Sequence, residues 1–512
     1  MVRFLLCLFL LVGAAAPADA SWRQASTDHF VIYSEDNPKT LNEFATNLER
    51  YDAAMRYVHG LPDQKPSPSN RLTIFVVRNV GAVEKLYGKG GGNVAGFYMG
   101  RATGSFAITP RSSGGGSKYD LNEQIVLLHE YAHHFMLQTY PGAFPAWLIE
   151  GFAELNSTAK FEADGGVGIG LPANHRAYAL TVRPMKMDKL VVATVSALKR
   201  DEVEPLYARG WLLTHYLTFD PARKGQLTAY IAAINNGTGS LEAAKKAFGD
   251  LAKLDLELDK YVAQRTLSYF KITPDKFRIG KIDIRDLTPG EAAVMEVRIR
   301  SKRGVDEAQA KALVPLVRKA AAPFPNDALA QVTLAEAEYD AHNYAEAEAA
   351  ADRAIAADPK SVEGLIYKGR ARVALASAAA KTDAAAWKEA RKGFLAANKI
   401  EPDDPEPLML FYSSFLAAGA RPTVNAAQGL EWALKLAPQD SSLRWMVAQQ
   451  HLRDGKAAEA RAALAPVAFD PHGGAQAEAA AGILTKLDAG GVKAALEAWE
   501  KLGKEQAEAS GS

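Results

Sequence analysis

The residues best suited to chemistry are His129, Glu130 and His133, in the stretch His-Glu-Tyr-Ala-His. Two imidazoles four residues apart lie on one face of a helix, where both can bind the same zinc ion. Glu130 is offset by one residue, so it can reach a water that the metal activates without binding the metal itself, as a general base must. Such a pattern also arises by chance, so its helical context matters. In that context the three residues predict a zinc-dependent hydrolase.

A catalytic zinc ion needs a third protein ligand, and the next segment offers Glu150 and Glu154, one helical turn apart. Apolar residues such as Trp147 and Phe152 surround them, and a buried carboxylate needs a partner, which a metal would supply. Exposed helices also carry glutamates, so spacing alone does not distinguish a ligand from a solvated charge. The only cysteine, Cys7, lies in a segment at the start of the chain that is expected to be removed as a signal peptide. A metal site in the remaining chain must therefore use His, Asp and Glu.

Two helices must position these side chains. The first is predicted over 120–140, with Asp120 as its N-cap, Glu123 as the capping-box partner and Pro141-Gly142 at its end. The second is predicted over 146–155, with Pro145 in its first turn.

The chain before these helices predicts a sheet with helices. Apolar runs over 29–33 and 72–77 are typical of buried strands, and 40–59 between them is typical of a helix. A hairpin is predicted over 94–109, followed by a glycine-rich loop over 112–118. The hairpin could offer an exposed edge to an extended substrate, as an endopeptidase would use, or be an ordinary interior hairpin. Further helices are predicted over 203–264, the first over 206–217.

The motif His129-Glu-x-x-His133 followed by Trp147-Leu-x-Glu150-Gly-Phe-Ala resembles the gluzincin metallopeptidases, which include thermolysin-like and alanyl-aminopeptidase-like enzymes. The resemblance implies that Glu150 is the third zinc ligand and that Glu154 accepts a hydrogen bond from a liganding imidazole. The segment 204–217 is similar to the aminopeptidase segment whose tyrosine stabilises the oxyanion, which implies that role for Tyr207.

Two departures limit this resemblance. The gap from His133 to Glu150 is a couple of residues shorter than in the aminopeptidases. The Gly-x-Met-Glu-Asn strand that holds a substrate's free amine in those enzymes is not found in the sequence, so exopeptidase activity is not carried over. The arrangement as a whole resembles the bacterial peptidase-MA-like, or DUF1570, proteins. It implies one Zn²⁺ per chain and a peptide or protein substrate.

From about residue 306 the sequence becomes alanine-rich, with turns marked by Pro359, Pro402, Pro438 and Pro471. The stretch 327–360 resembles a tetratricopeptide (TPR) repeat, in which two helices pack through small residues. Such arrays bind peptides or partner proteins on a concave face, although a purely stabilising appendage is an alternative.

The start of the chain, with Arg3, an apolar run and Ala18-Asp-Ala20, predicts a signal peptide and therefore export to the periplasm or beyond. No other segment is long and apolar enough to span a bilayer, and the near balance of 60 Lys and Arg with 59 Asp and Glu gives no reason to expect nucleic acid as a partner. Cys7, the only cysteine, lies within the signal peptide.

The expected fold is an α+β catalytic domain of the thermolysin and aminopeptidase type, with a small sheet and a helical lobe, followed by an all-α TPR-like domain. The expected boundaries are a signal peptide over 1–20, the sheet part over 21–115, the zinc-binding helical part over 116–270, a linker over 271–305 and the repeats over 306–505.

Two other functions fit the same residues. The chain could be an exported scaffold that works through its repeats and keeps a relic metal site, or a zinc hydrolase that acts on non-peptide amides. Among the other histidines, His134 points away from the two ligands and is expected to pack or to support them, and His29 is expected to be structural. His175 and His215 are reserve ligand candidates.

Overall fold

The computed structural model of the protein describes residues 22–88, 94–111, 117, 119–380 and 383–510. The expected signal peptide, with Cys7, and all of the expected loop over 112–118 except Ser117 lie outside the described residues. The described chain is mostly helical, with a small mixed sheet near its start.

The described strands form a six-stranded sheet and a three-stranded sheet. They are β1 (Arg23–Ser26), β2 (Phe30–Ser34), β3 (Leu72–Val77), β4 (Phe97–Met99), β5 (Phe106–Pro110), β6 (Lys160–Phe161), β7 (Val167–Ile169), β8 (Phe270–Ile272) and β9 (Asp283–Asp286). The larger sheet has the order β4-β5-β3-β2-β1-β9, and its central pairs β2–β3 and β3–β5 are parallel. The strands predicted over 29–33 and 72–77 become β2 and β3, and the predicted hairpin becomes the antiparallel pair β4–β5 with β4 at the edge.

Helices of the first half pack on this sheet and on one another. They are α1 (Pro38–Val58), α2 (Val80–Tyr87), α3 (Glu123–Thr139), α4 (Ala146–Ser157), α5 (Ala177–Val182), α6 (Met187–Leu190), α7 (Arg200–Phe219), α8 (Gln226–Asn235), α9 (Ser240–Phe248) and α10 (Leu251–Val262). A single core joins the sheet to α1, α3, α4 and α7, and every residue of α4 is buried. The three-stranded sheet β6–β7–β8 was not predicted, because its strands are only two or three residues long.

The start of α3 differs from the prediction. Asn122, not Asp120, is the N-cap, because its side chain accepts a hydrogen bond from the backbone of Ile125 at 2.9 Å. The Asp120 carboxylate instead accepts from the backbone N–H of Ser117 at 2.6 Å. A side-chain acceptor just ahead of the apolar run therefore begins the helix, as the cap rule requires, two residues later than predicted.

The segment 271–305, expected as a linker, contains regular secondary structure. Strand β9 pairs antiparallel with β1 along the edge of the main sheet, with Arg23 opposite Asp286. It is followed by α11 (Pro289–Lys302), which begins with a capping box between Thr288 and Glu291. Hydrogen bonding of an otherwise open sheet edge explains why this segment is ordered.

Helical hairpins fill the rest of the described chain. Their helices are α12 (Glu307–Ala321), α13 (Ala328–Asp340), α14 (Tyr344–Ala357), α15 (Val362–Ala378), α16 (Ala384–Ala390), α17 (Lys392–Ile400), α18 (Pro405–Ala417), α19 (Val424–Leu436), α20 (Ser441–Arg453), α21 (Ala457–Ala468) and α22 (Gly474–Ser510), the last kinked at Gly491. The predicted proline turns all fall between helices, and the buried residues of α14 are all alanines. This part of the chain, α12 to α22, is called the repeat array below.

The repeat array docks back onto the sheet. The Asp440 carboxylate accepts a hydrogen bond from the backbone of Ala102 at 2.7 Å, and Gln439 donates to Ser105 at 3.0 Å. Farther along the junction, the backbone of Ser69 donates to the Glu401 carboxylate at 2.8 Å. The array is thus held against the β4–β5 end of the first half of the chain. Among the described helices, none combines the length and the apolar character that crossing a membrane requires.

Candidate metal centre

Helix α3 presents His129 and His133 side by side. Their Nε2 atoms lie 3.0 Å apart, with the two rings nearly perpendicular. Both imidazoles are largely buried, with 12% and 10% of their side chains exposed. Two neutral imidazoles that direct Nε2 to one point are a frequent arrangement of zinc ligands.

Helix α4 places Glu150 opposite these rings. One of its oxygens, Oε2, lies 3.4 Å from Nε2 of His129 and 3.6 Å from Nε2 of His133. These three ligand atoms lie within 4.8 Å of one another. The structure therefore brings the three predicted ligands together.

The surroundings of Glu150 fit a metal ion. Its side chain is fully buried, and imidazole nitrogens lie beside both of its oxygens, those of His129 and His133 near Oε2 and that of His472 near Oε1. Burial would raise the pKa of Glu150, but contacts with His133 and His129 hold it well below its usual range. An ionised, buried carboxylate needs a partner, which these imidazoles or a metal ion can supply. Two imidazoles and one carboxylate are a donor set that zinc accepts, so the residues present fit this ion.

Glu154 lies one turn farther along α4 and is fully paired. Its Oε1 is 3.3 Å from Nδ1 of His129 and accepts a hydrogen bond from Arg176 at 2.7 Å, and its Oε2 is 2.9 Å from Nε2 of His175. The contact with His129 is the one that the gluzincin resemblance predicts. Arg176 was not predicted, and His175 contacts this carboxylate instead of belonging to the ligand cluster. The sequence around α4 does not predict either contact with Glu154, because His175 and Arg176 lie in a separate short turn.

Glu130 and Tyr207 border the same cluster. Glu130 is partly exposed and faces the cavity that the two imidazoles line. The ring of Tyr207, from α7, stacks on His129 with centroids 5.9 Å apart, and the Arg176 guanidinium lies 5.2 Å from its centre. Burial and the negative charge of Glu150 raise the pKa of Tyr207 well above its usual value. The phenol therefore stays protonated and can donate a hydrogen bond.

A close helix crossing fixes α7, and Tyr207 with it, against α4. A Cβ atom added to Gly210 would lie 2.6 Å from the carbonyl oxygen of Trp147, and one added to Gly151 would collide with Gly210 and Thr214. Only glycine at both positions permits this approach. The crossing sets the distance between the helix that carries Glu150 and Glu154 and the helix that carries Tyr207.

The repeat array contributes a residue that the sequence did not predict. His472, between α21 and α22, places Nε2 2.9 Å from Oε1 of Glu150, and its ring centroid is 6.2 Å from that of His133. In the sequence it follows Asp470-Pro471, which predicted only a turn between repeats. Because His472 is far from the motif along the chain, only the docking of the array reveals the contact.

A cavity of about 270 Å³ connects these groups. One wall comes from α3 and α7, another from the β4 edge through Tyr98 and Gly100, and the third from the repeat array. The array residues are Pro438, Gln439, Ser441, Arg444, Pro466, Asp470, Pro471 and His472. The candidate metal centre therefore opens into a cleft between the two halves of the chain.

The other histidines have different partners. Nδ1 of His134 lies 2.9 Å from the hydroxyl of Tyr98, and burial lowers the pKa of His134 to about 4. His215 contacts Tyr261 and a backbone carbonyl, and His29 contacts Glu49 beneath the sheet. None of the three belongs to the ligand cluster among the described residues.

Comparison with known proteins gives little more. No protein-family model matches the chain, and no curated protein matches it. A solved structure to which it is similar is that of TTC0263, a thermophilic TPR protein in Thermus thermophilus, with 20% sequence identity. The match covers 34% of this chain and 90% of that chain, with a TM-score of 0.30.

Proposed function

We propose that this protein is an exported zinc metallopeptidase. The observation that carries the proposal is the convergence of His129, His133 and the fully buried Glu150 on one point, where their ligand atoms lie within 4.8 Å of one another. Glu130 faces the cavity into which this point opens, so a base stands beside the proposed metal. The part of the proposal that concerns export rests on the sequence of residues 1–20.

The proposed chemistry divides among the residues of the centre. His129, His133 and Glu150 would hold the zinc ion, which when bound supplies an acidified water and polarises an amide carbonyl. Glu130 accepts the proton of the attacking water and delivers it to the leaving amine. Tyr207, kept neutral by its surroundings, donates a hydrogen bond to the oxygen that gains charge. Glu154 fixes the orientation and tautomer of His129 through its contact with Nδ1.

Two features favour a peptide as the substrate. The order of α3 and α4 along the chain, and the position of Glu154 one turn after Glu150, resemble those in gluzincin peptidases. We therefore also propose that the first half of the chain is a catalytic lobe of the gluzincin type. The edge strand β4 borders the cavity, because Tyr98 and Gly100 line it. An extended peptide could pair with such an edge as an added strand.

The test measures zinc and cleavage in the same set of proteins. The purified protein, His133→Ala, Glu130→Gln and the control His134→Ala are analysed for metal and incubated with a mixed peptide library. We expect about one zinc per chain in all except His133→Ala, as a three-ligand site predicts. Glu130→Gln should slow cleavage by about 10²- to 10⁴-fold because it removes the base. His134→Ala is the matched control, because it removes the neighbouring imidazole that contacts Tyr98.

Each contrary result has a distinct meaning. Full zinc content in His133→Ala would contradict the ligand assignment. Zinc without cleavage of any library peptide would contradict the peptidase assignment and favour another amide as substrate. A protein that takes up no zinc when the ion is supplied would favour a scaffold that works through its repeats.

A further inference from the structure

The wall that the repeat array adds to the cleft carries an unusual cation, Arg444. It lies in the first turns of α20, and only 6% of the residue is exposed. Its Nε donates a hydrogen bond to the backbone carbonyl of Pro438 at 2.5 Å. Arg444 lines the same cavity as His129 and Glu130.

Among the described residues, Arg444 differs from the other buried arginines. Arg209 contacts Asp255 at 2.9 Å, and Arg298 contacts Glu363 at 3.0 Å. By contrast, no carboxylate of the described residues lies within 4.0 Å of the Arg444 guanidinium. Asp440, one turn earlier, is occupied by the backbone N–H groups of Ala102 and Leu443. Burial lowers the pKa of Arg444 to about 10, which leaves it a cation at neutral pH.

A buried cation without a counter-ion costs free energy, so its presence requires a reason. A guanidinium is a planar fork of donors that matches a carboxylate, with which it forms two parallel hydrogen bonds. Arg444 is one of the residues that line the cleft beside the proposed zinc site, where a substrate would lie. A ligand bound in the cleft could therefore supply the negative charge that Arg444 lacks.

We propose that Arg444 binds a carboxylate of the substrate, so that the enzyme prefers peptides with a free acid group near the cleaved bond. The carboxylate belongs either to the peptide's C-terminus or to an Asp or Glu side chain, which offer the same chemistry. This inference rests on the proposed peptidase function for the identity of the ligand. It assigns the repeat array a role in substrate selection.

The test uses the full-length Glu130→Gln protein, loaded with zinc, so that binding is measured without cleavage. Three pools of fluorescent mixed-sequence hexapeptides serve as probes. The first has a free C-terminal carboxylate and no acidic side chain, the second is the same pool amidated, and the third is amidated with one glutamate. Binding is measured by fluorescence anisotropy for this protein and for versions that also carry Arg444→Met or Arg444→Lys.

We expect an acid-containing pool to bind about tenfold or more tightly than the neutral amidated pool, because a hydrogen-bonded charge pair contributes at least that much. Arg444→Met should abolish the preference, and Arg444→Lys should keep part of it. A preference for the first pool identifies the C-terminus as the source of the carboxylate, and a preference for the third identifies a side chain. Equal binding of all three pools, or a preference that survives Arg444→Met, would overturn the proposal, as would no binding of any pool.

Thermal unfolding distinguishes this role from a structural one. Without ligand, Arg444→Met should change the unfolding midpoint little, because it removes an unpaired buried charge, which stabilises the fold, and the hydrogen bond to Pro438, whose loss destabilises it. A clear fall in the midpoint would assign Arg444 to the fold and count against the proposal. A different result would contradict only the peptidase function. In that case the protein would cleave none of the peptides, but it would still bind the acid-containing pools more tightly, and this preference would still depend on Arg444.

Discussion

At the scale of single residues, hydrogen bonding separates two glutamates that are equivalent in the sequence. Glu150 and Glu154 are one turn apart on the same buried helix, and spacing alone left either as the ligand. In the structure Glu154 is paired with the Arg176 guanidinium as well as with His175 and Nδ1 of His129, whereas Glu150 has only imidazole nitrogens beside it and faces the Nε2 atoms of both His129 and His133. A carboxylate whose charge is already paired with a guanidinium has little left to offer a metal ion. The contacts therefore support Glu150 as the proposed ligand and Glu154 as its support.

This division of roles predicts the effect of Glu154→Gln. The substitution keeps the size of the side chain but removes the charge that faces Nδ1 of His129. We expect zinc affinity to fall by about 10- to 100-fold, as for other residues that orient a ligand. Competition with a chelator of known affinity measures the change. Glu130→Gln is the control and should retain the original affinity, so an equal loss in both variants would refute the distinction.

At the scale of elements, local patterns predicted the helices and strands that hold the site but not all of their ends. Nearly continuous apolar runs predicted β2 and β3, and the proline and capping residues around the apolar segments of α3 and α4 predicted those helices. The wrong N-cap of α3 arose because two neighbouring residues, Asp120 and Asn122, are both good caps and only their contacts distinguish them. The close crossing of α4 and α7 depends on Gly151 and Gly210, which are far apart in the sequence. The pattern of apolar residues in each helix does not show that these two glycines contact each other.

That crossing predicts the effect of Gly210→Ala. The added methyl group would press on the carbonyl of Trp147 and force α7 away from α4. We expect a loss of about 1–3 kcal/mol in the free energy of unfolding, since overpacking exceeds the gain in helix propensity. Because Tyr207 moves with α7, kcat should fall while zinc content stays the same.

Urea unfolding and steady-state kinetics with a cleaved peptide check both effects. Gly482→Ala is the matched control, because a Cβ atom there would meet nothing within 4 Å in the helical run of α22. It should be neutral or stabilise the protein by up to about 1 kcal/mol. If Gly210→Ala changed the free energy of unfolding as little as Gly482→Ala does, the conclusion that α4 and α7 cross too closely for a side chain would be wrong.

At the scale of the whole molecule, the two halves of the chain form one structure around the cleft. The sequence predicted a catalytic part and a repeat part joined by a linker over 271–305, because composition changes there. Strand pairing of β9 with β1 and the contact of His472 with Glu150 join parts that are far apart in sequence. No local pattern encodes such contacts. For that reason His472 and Arg444 could not be recognised as residues of the cleft before the fold was known.

The junction between the halves contains an acidic group that should make stability depend on pH. Asp404, which caps α18, is buried, and burial together with the charge of Glu406 raises its pKa to about 8. Nearby, the backbone carbonyl of Asp403 accepts hydrogen bonds from Ser67 and Asn70 on the other half. The free-energy cost of ionising Asp404 therefore destabilises the junction between the repeat array and the sheet.

The sign of the effect follows from the two pKa values. Below about pH 4 the carboxyl of Asp404 is protonated in both the folded and the unfolded chain, so it adds no cost. Between about pH 4 and about pH 8 only the unfolded chain ionises, so the folded state loses stability as the pH rises. Asp404→Asn removes this cost and keeps an acceptor for the backbone N–H of Glu406, which Asp404 binds at 2.9 Å.

We therefore expect Asp404→Asn to stabilise the protein, by an amount that grows on the order of 1–3 kcal/mol between about pH 5 and about pH 8. Urea unfolding of both proteins at the two pH values measures the difference. Asp403→Asn is the control, because that neighbouring side chain is exposed and its substitution should give no comparable trend. A difference that stayed constant with pH would show that Asp404 is already ionised in the folded protein, and the junction would then have to supply a cation beside it.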